Sequence, residues 1–127
     1  MKTISIKIEV EVSLDDIIGH LTAALEGGSN YWYYLPDLSM VQKHYKADDQ
    51  PYLADKIIKA VCDHNEIVPV HDIEDQYEKI GEISLANIKR GLQLYAKIGR
   101  PFAADEADAE DGDVLFQLIA LGDIVYG

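Results

Sequence analysis

The sequence predicts a single α+β domain over residues 1–127, a small antiparallel sheet packed against three to four helices with the C-terminal helix buried at the centre. Three observations carry that expectation. Residues 3–13, "TISIKIEVEVS", alternate between polar and apolar with the two-residue period of a strand. Two later stretches, beginning at Leu14 and Leu85, repeat apolar residues at helical spacing behind a serine able to cap them. Strands and helices also lack the regular alternation of a doubly wound sheet, which favours α+β.

Taken in order, the first strand would place Ile4, Ile6, Ile8, Val10 and Val12 on one face and Lys7, Glu9 and Glu11 on the other. Ser13 then caps a helix with Asp16 in the place of a capping-box acid, and Leu14, Ile17, Ile18, Leu21 and Leu25 form its buried stripe. Gly27 or Gly28 stops it, because glycine accepts left-handed backbone without steric cost. Tyr31 to Tyr34 follow as a short strand or extended segment, since Tyr and Trp suit a pleated surface. Residues 35–52 read as a loop with room for one helical turn.

Pro51 is expected to open a second helix with Leu53, Ile57, Ala60 and Val61 facing inward. "EIVPVHDIEDQYEKIGEIS" reads as two strands joined near Glu74 to Gln76, with Pro69 pushing the first toward a sheet edge. Ser84 caps a third helix in which Leu85, Ile88, Leu92 and Tyr95 recur, ending before Gly99 and Pro101. "PFAADEADAEDGD" holds six acids and no base and reads as an exposed, mobile connector. "VLFQLIALG" is apolar on nearly every face, the pattern of a buried helix, and "DIVYG" is read as a short extended end.

Composition bounds the function. Twenty-three acids against eleven bases give a formal net charge of −12, and no Lys or Arg follows Arg100. Such a chain is repelled by nucleic-acid phosphates and anionic membranes, so neither direct nucleic-acid binding nor membrane association is expected. A lone cysteine, Cys62, and the lack of any run of roughly 20 apolar residues point to a reduced, cytoplasmic protein.

The aromatic run beside "GGSN" holds the chain's only tryptophan and supports two readings. It can form a ligand platform, with rings stacking on a planar group and Asn30 reading a polar edge. Alternatively it fills the core, Trp32 and Tyr34 sharing one face and Tyr31 and Tyr33 the other. Gln117, surrounded by apolar neighbours, either bonds to backbone inside the core or points into a pocket. Asp113 caps the last helix, complements its dipole or joins a site.

Catalysis and metal binding find little to stand on. Asp16 and His20 share a helix face without further ligands, Cys62 and His64 point apart, and "GGSN" lacks the lysine and glycines of a phosphate loop. No cofactor is expected. The acids Asp72, Glu74, Asp75 and Glu78, and those at Asp105, Glu106, Asp108, Glu110 and Asp111, either keep the surface solvated or present a negative stripe to a basic partner.

Two stretches, "ALEGGSNYWY" at residues 23–32 and "EDGDVLFQLIALGDIVYG" at residues 110–127, resemble a family of small uncharacterised bacteriophage and prophage proteins. Members carry a Gly-Gly-Ser-Asn-Tyr-Trp segment after the first helix and close on a Gly-Asp, a Gln-containing apolar helix and an Ile-Val-Tyr-Gly end. The resemblance covers about three-quarters of the chain and omits the "HYKADDQPYLADKI" region. It implies a phage setting, inside a host cell, in which small acidic proteins act as anti-CRISPR-like inhibitors of host defence. If the two motifs meet in space, Asn30, Tyr31, Trp32, Tyr33, Asp113 and Gln117 are the residues expected to form the site. The leading expectation is therefore a non-enzymatic inhibitor that binds a basic host protein through acidic residues. A sponge holding a nucleotide-like molecule at the aromatic segment is the alternative.

Overall fold

The computed structural model describes residues 2–46 and 52–127; Pro51, expected to open the second helix, lies outside them. The elements are α1 (Leu14–Ala23), a π-type turn (Ala24–Gly28), β1 (Tyr33–Tyr34), α2 (Ser39–Gln42), α3 (Leu53–His64), β2 (Val68–Asp72), β3 (Lys79–Ile83), α4 (Leu85–Ile98), a 3₁₀ turn (Ala104–Glu106) and α5 (Ala109–Ala120). The class is α+β, with a three-stranded antiparallel sheet in the order β1-β2-β3. At its centre lies α5, packed against α1, α4 and β3 and buried at every residue from Asp111 to Ala120.

Local chemistry explains most of these boundaries. Ser13 and Ser84 accept backbone N–H bonds from Asp16 and Asn87 at the starts of α1 and α4, and Gly99 closes α4 in left-handed geometry at φ 73°. The hairpin pairs Val68 with Ile83 and Val70 with Gly81, with a bulge between Val70 and His71. Inward positions deviate at helix starts, where Leu14 and Leu53 remain 43% and 40% exposed.

Three expectations are corrected. Pro69 lies on the middle strand of the sheet, but β1 pairs only with His71 and Asp72, so no ladder bond is asked of the proline on that side. The last helix begins at Ala109 instead of Val114, and Asp113 is not its cap. Asp108 holds that role in a capping box, accepting from the Asp111 N–H at 2.8 Å while the Asp111 carboxylate accepts from the Asp108 N–H at 3.0 Å. The acidic connector is exposed at Asp105, Glu106, Asp108 and Glu110 as expected, but it is structured in part and two of its acids are compensated, since Arg100 pairs with Asp111 at 2.7 Å and Glu110 at 3.2 Å. Residues 123–127 carry no regular secondary structure; the chain turns at Gly122, φ 77°, and returns along α5.

The largest correction concerns the N-terminus. Residues 2–13 carry no regular secondary structure, and Ile4, Ile6, Ile8 and Val10 are 80%, 78%, 78% and 58% exposed. Only Val12 packs against the core. Alternation prepares a strand for one buried face, yet burial also requires a neighbour to take its backbone hydrogen bonds. The sheet contains β1, β2 and β3 and does not take in this arm.

Candidate functional site

The two motifs meet at the carboxylate of Asp113. After the π-type turn the Ser29 N–H donates to the Ala24 carbonyl at 2.8 Å and the Trp32 N–H to the Ser29 carbonyl at 3.1 Å, a tight reversal that aims three side chains at α5. A Cβ on Gly28 would stand 2.8 Å from the Ala109 carbonyl oxygen, so this close junction requires glycine. Oδ1 of Asp113 accepts from Ser29 Oγ at 2.6 Å and Trp32 Nε1 at 2.8 Å; Oδ2 accepts from Tyr31 Oη at 2.5 Å and Gln117 Nε2 at 3.2 Å. Asp113 is 8% exposed, and four neutral donors offset the cost of withdrawing its carboxylate from water.

Gln117 extends the network to the final residues. Its Oε1 accepts the N–H groups of Val125 at 2.8 Å and Tyr126 at 2.9 Å, while Nε2 donates to the Tyr126 carbonyl at 3.1 Å. A fully buried amide therefore bonds to backbone, the first of its two expected roles. The returning segment lays Tyr126 on Trp32, ring centroids 5.4 Å apart and planes 10° from parallel.

Of the six residues expected to form a site, Tyr31, Trp32, Asp113 and Gln117 share this network. Tyr33 packs beside it, edge-on to Trp32 and Phe116, with its hydroxyl donating to the Leu25 carbonyl at 2.8 Å. Asn30 is exposed and takes no part. Strict alternation fails because Trp32 belongs to the turn and β1 begins only at Tyr33, so both rings reach Phe116.

Trp32 is 1% exposed and Tyr31 50%. Burial and the Asp113 carboxylate push the Tyr31 hydroxyl up to about 12, so it stays a proton donor well above neutral pH. Beside it opens a cleft of about 470 Å³ lined by Gly28, Tyr31, Ala109, Glu110, Asp113 and Gly127. Its ionisable side chains are acidic apart from the tyrosine, so the cleft suits a hydrogen-bond donor or cation better than a phosphate.

The acids divide into two kinds. Asp108 and Asp111 are consumed by the capping box, and Asp111 and Glu110 by Arg100. Burial opposes ionisation of Asp111, but the Asp108 N–H and the Arg100 guanidinium outweigh it and hold the carboxyl below its usual range. Asp105 and Glu106 are exposed on the 3₁₀ turn. In the hairpin, Asp72 and Asp75 accept backbone N–H groups of Glu74 and Tyr77, while Glu74 and Glu78 stand exposed at the tip. Burial first, then the charges of Asp72, Glu78 and Glu74, raise the Tyr126 hydroxyl, so these acids lie beside the returning segment.

Sequence reasoning overlooked Tyr77, 98% exposed at the hairpin tip between Asp75 and Glu78. Its signal was available: an aromatic inside an acidic turn has no core to join. Asp16 accepts the Ala104 N–H at 3.1 Å, and His20 Nε2–H donates to the Phe102 carbonyl at 2.9 Å, so both link α1 to the preceding connector of α5. Burial and the charge of Asp63 raise the Cys62 thiol, which disfavours the reactive thiolate. Among the described residues no helix is long and apolar enough to cross a membrane. No protein-family model, characterised protein or solved structure matches the chain, so a functional reading rests on this geometry and its charges.

Proposed function

We propose that this chain is a non-enzymatic binding protein whose acidic hairpin tip engages a basic surface of a partner protein. In the phage setting implied by the resemblance, the partner is a host defence component and the effect is anti-CRISPR-like inhibition. The observation carrying the reading is the pairing of a projecting aromatic with exposed acids that make no ion pair among the described residues: Tyr77 at 98% exposure, flanked by Glu74, Asp75 and Glu78. A tyrosine ring stacks on arginine and buries a large area at low entropic cost, while the surrounding carboxylates steer a basic partner into place. The net charge of −12 acts in the same direction at longer range.

The alternative, a nucleotide-like ligand held at the aromatic segment, has less support. Trp32 is occupied in the core, leaving Tyr31 and Asn30, and phosphates in the adjacent cleft would face Glu110 and Asp113. A tagged pull-down from bacterial lysate at low and high salt separates the two. The binding reading expects a protein released by salt, lost with Tyr77→Ala and with Glu74→Gln/Glu78→Gln, and retained with Tyr31→Phe. A nucleotide freed on denaturation, with no protein captured, would replace it with the sponge.

A further inference from the structure

The arm at residues 2–13 has the alternation of a strand and, among the described residues, no strand beside it. Its face of Ile4, Ile6, Ile8 and Val10 is exposed to water, an arrangement that invites pairing with another extended chain. What identifies that chain is the charge on the opposite face. If two copies of the arm run antiparallel about a two-fold axis at Ile8, residue 7 of each faces residue 9 of the other. Lys7 then meets Glu9 twice, once on each side of the axis, and Ser5 faces Glu11. On the other face Ile4 meets Val12, Ile6 meets Val10 and Ile8 meets its own mate.

Neighbouring registers are poorer. Centring the pair on Lys7 sets lysine against lysine, centring it on Glu9 sets glutamate against glutamate, and centring it on Val10 sets Glu9 against Glu11. Centring on Ile6 leaves Val12 without a partner. Any one-residue slip puts the aliphatic set opposite charges. The sequence is thus self-complementary in one antiparallel register, and we propose that the arm is a dimerisation strand whose partner is the same arm of a second copy.

An isolated two-stranded ribbon is only marginally stable in water, so its apolar face needs cover. The structure offers it: the segment from Ile8 to Val12 borders an open cleft of about 470 Å³ whose far wall includes Leu92 and Ala96 of α4 together with Phe102. In the Ile8-centred register, Ile4 and Ile6 of the second copy lie opposite Val12 and Val10, at the border of that cleft. This interface uses a face unrelated to the hairpin tip, so it stands or falls independently of the proposed function.

Sedimentation across a concentration series reads the dimer, and single cysteines read the register. In a Cys62→Ser background, Ile8→Cys should oxidise to a covalent dimer, since directly opposed residues of an antiparallel pair sit about 4.5–5.5 Å apart between Cα atoms, within disulfide range. Lys7→Cys and Glu9→Cys should each cross-link poorly alone and well when mixed. Lys7→Glu should weaken the dimer by roughly tenfold, by turning two attractive pairs into repulsive ones, and Lys7→Glu/Glu9→Lys should restore it. A wild-type chain monomeric at every concentration overturns the proposal. So does a dimer indifferent to Lys7→Glu, or one that cross-links through residue 7 or 9 alone in preference to residue 8.

Discussion

Every residue of α5 from Asp111 to Ala120 is buried, while Ile4, Ile6 and Ile8 at the other end of the chain are 80%, 78% and 78% exposed, although both stretches are rich in large aliphatics. The difference lies in the backbone. A helix satisfies its own N–H and C=O groups and needs only side-chain neighbours, so an apolar helix can be enclosed on every side. A strand cannot be enclosed until another strand takes its hydrogen bonds. The same apolar content therefore makes a core in one place and an open arm in the other.

The comparison is broken most severely by removing what encloses α5. Trp32 fills the space between Phe116 and Tyr126 and also donates to Asp113. Trp32→Ala should cost about 3–5 kcal/mol, read as a fall in the urea midpoint. A loss no larger than that of an exposed substitution would show that α5 is held without this contact.

Asp113→Asn comes next and tests the donor geometry. Ser29 and Tyr31 can reverse their hydroxyls to accept, but Trp32 Nε1 only donates, and so does the Gln117 amide nitrogen. If the new amide nitrogen faces Trp32, that bond is lost; if it faces Gln117, the other is. Asparagine fits in neither orientation, and a cost of about 1–3 kcal/mol follows, measurable by the same denaturation. An unchanged midpoint would mean that the carboxylate is not the acceptor on which the two motifs converge.

This pair of regions also shows what was legible in the sequence. Ser84 and Gly99 mark both ends of α4, and the apolar run ending at Ala120 announces a buried helix, because caps and helical periodicity are local signals. Gln117 was conspicuous for the same reason, as a polar residue in that run. The role of Asp113 was not legible: Ser29, Tyr31 and Trp32 lie more than eighty residues away and reach it only through the fold. Asp108 and Asp111 have capping-box spacing, but six acids in thirteen residues read as a charged connector and hid the pattern. The arm misled most, since alternation reports readiness to pair and says nothing of whether the chain supplies a partner.

A smaller effect is expected from acid. The Asp111 carboxyl is held below its ordinary value of 3.8 in the folded chain. Its contribution is therefore present in full above that value and is lost as pH falls through the lower folded pKa, where the folded state must also take up the proton. Asp16, lowered by the Ala104 N–H and Ser13, shifts stability in the same direction. Arg100→Gln should reduce stability near neutral pH and flatten the acid limb, because the guanidinium is one of the groups holding Asp111 ionised. Denaturation of both chains at neutral pH and below the carboxylate range decides it: parallel curves would mean that Arg100 contributes nothing to this titration.

The smallest effect on stability should come from the arm, and it sharpens the contrast with α5. Ile6 is 78% exposed, so Ile6→Thr removes little that the folded monomer buries, and the change should stay within about 0.5 kcal/mol at dilute concentration. Thr keeps the β-branched shape, so strand propensity is nearly conserved and the lost quantity is apolar contact. If the arm pairs with its copy, the same substitution weakens association in a sedimentation series while leaving the dilute urea midpoint in place. A large loss of monomer stability would instead mean that Ile6 is already buried by its own chain, and the arm and α5 would no longer differ in kind.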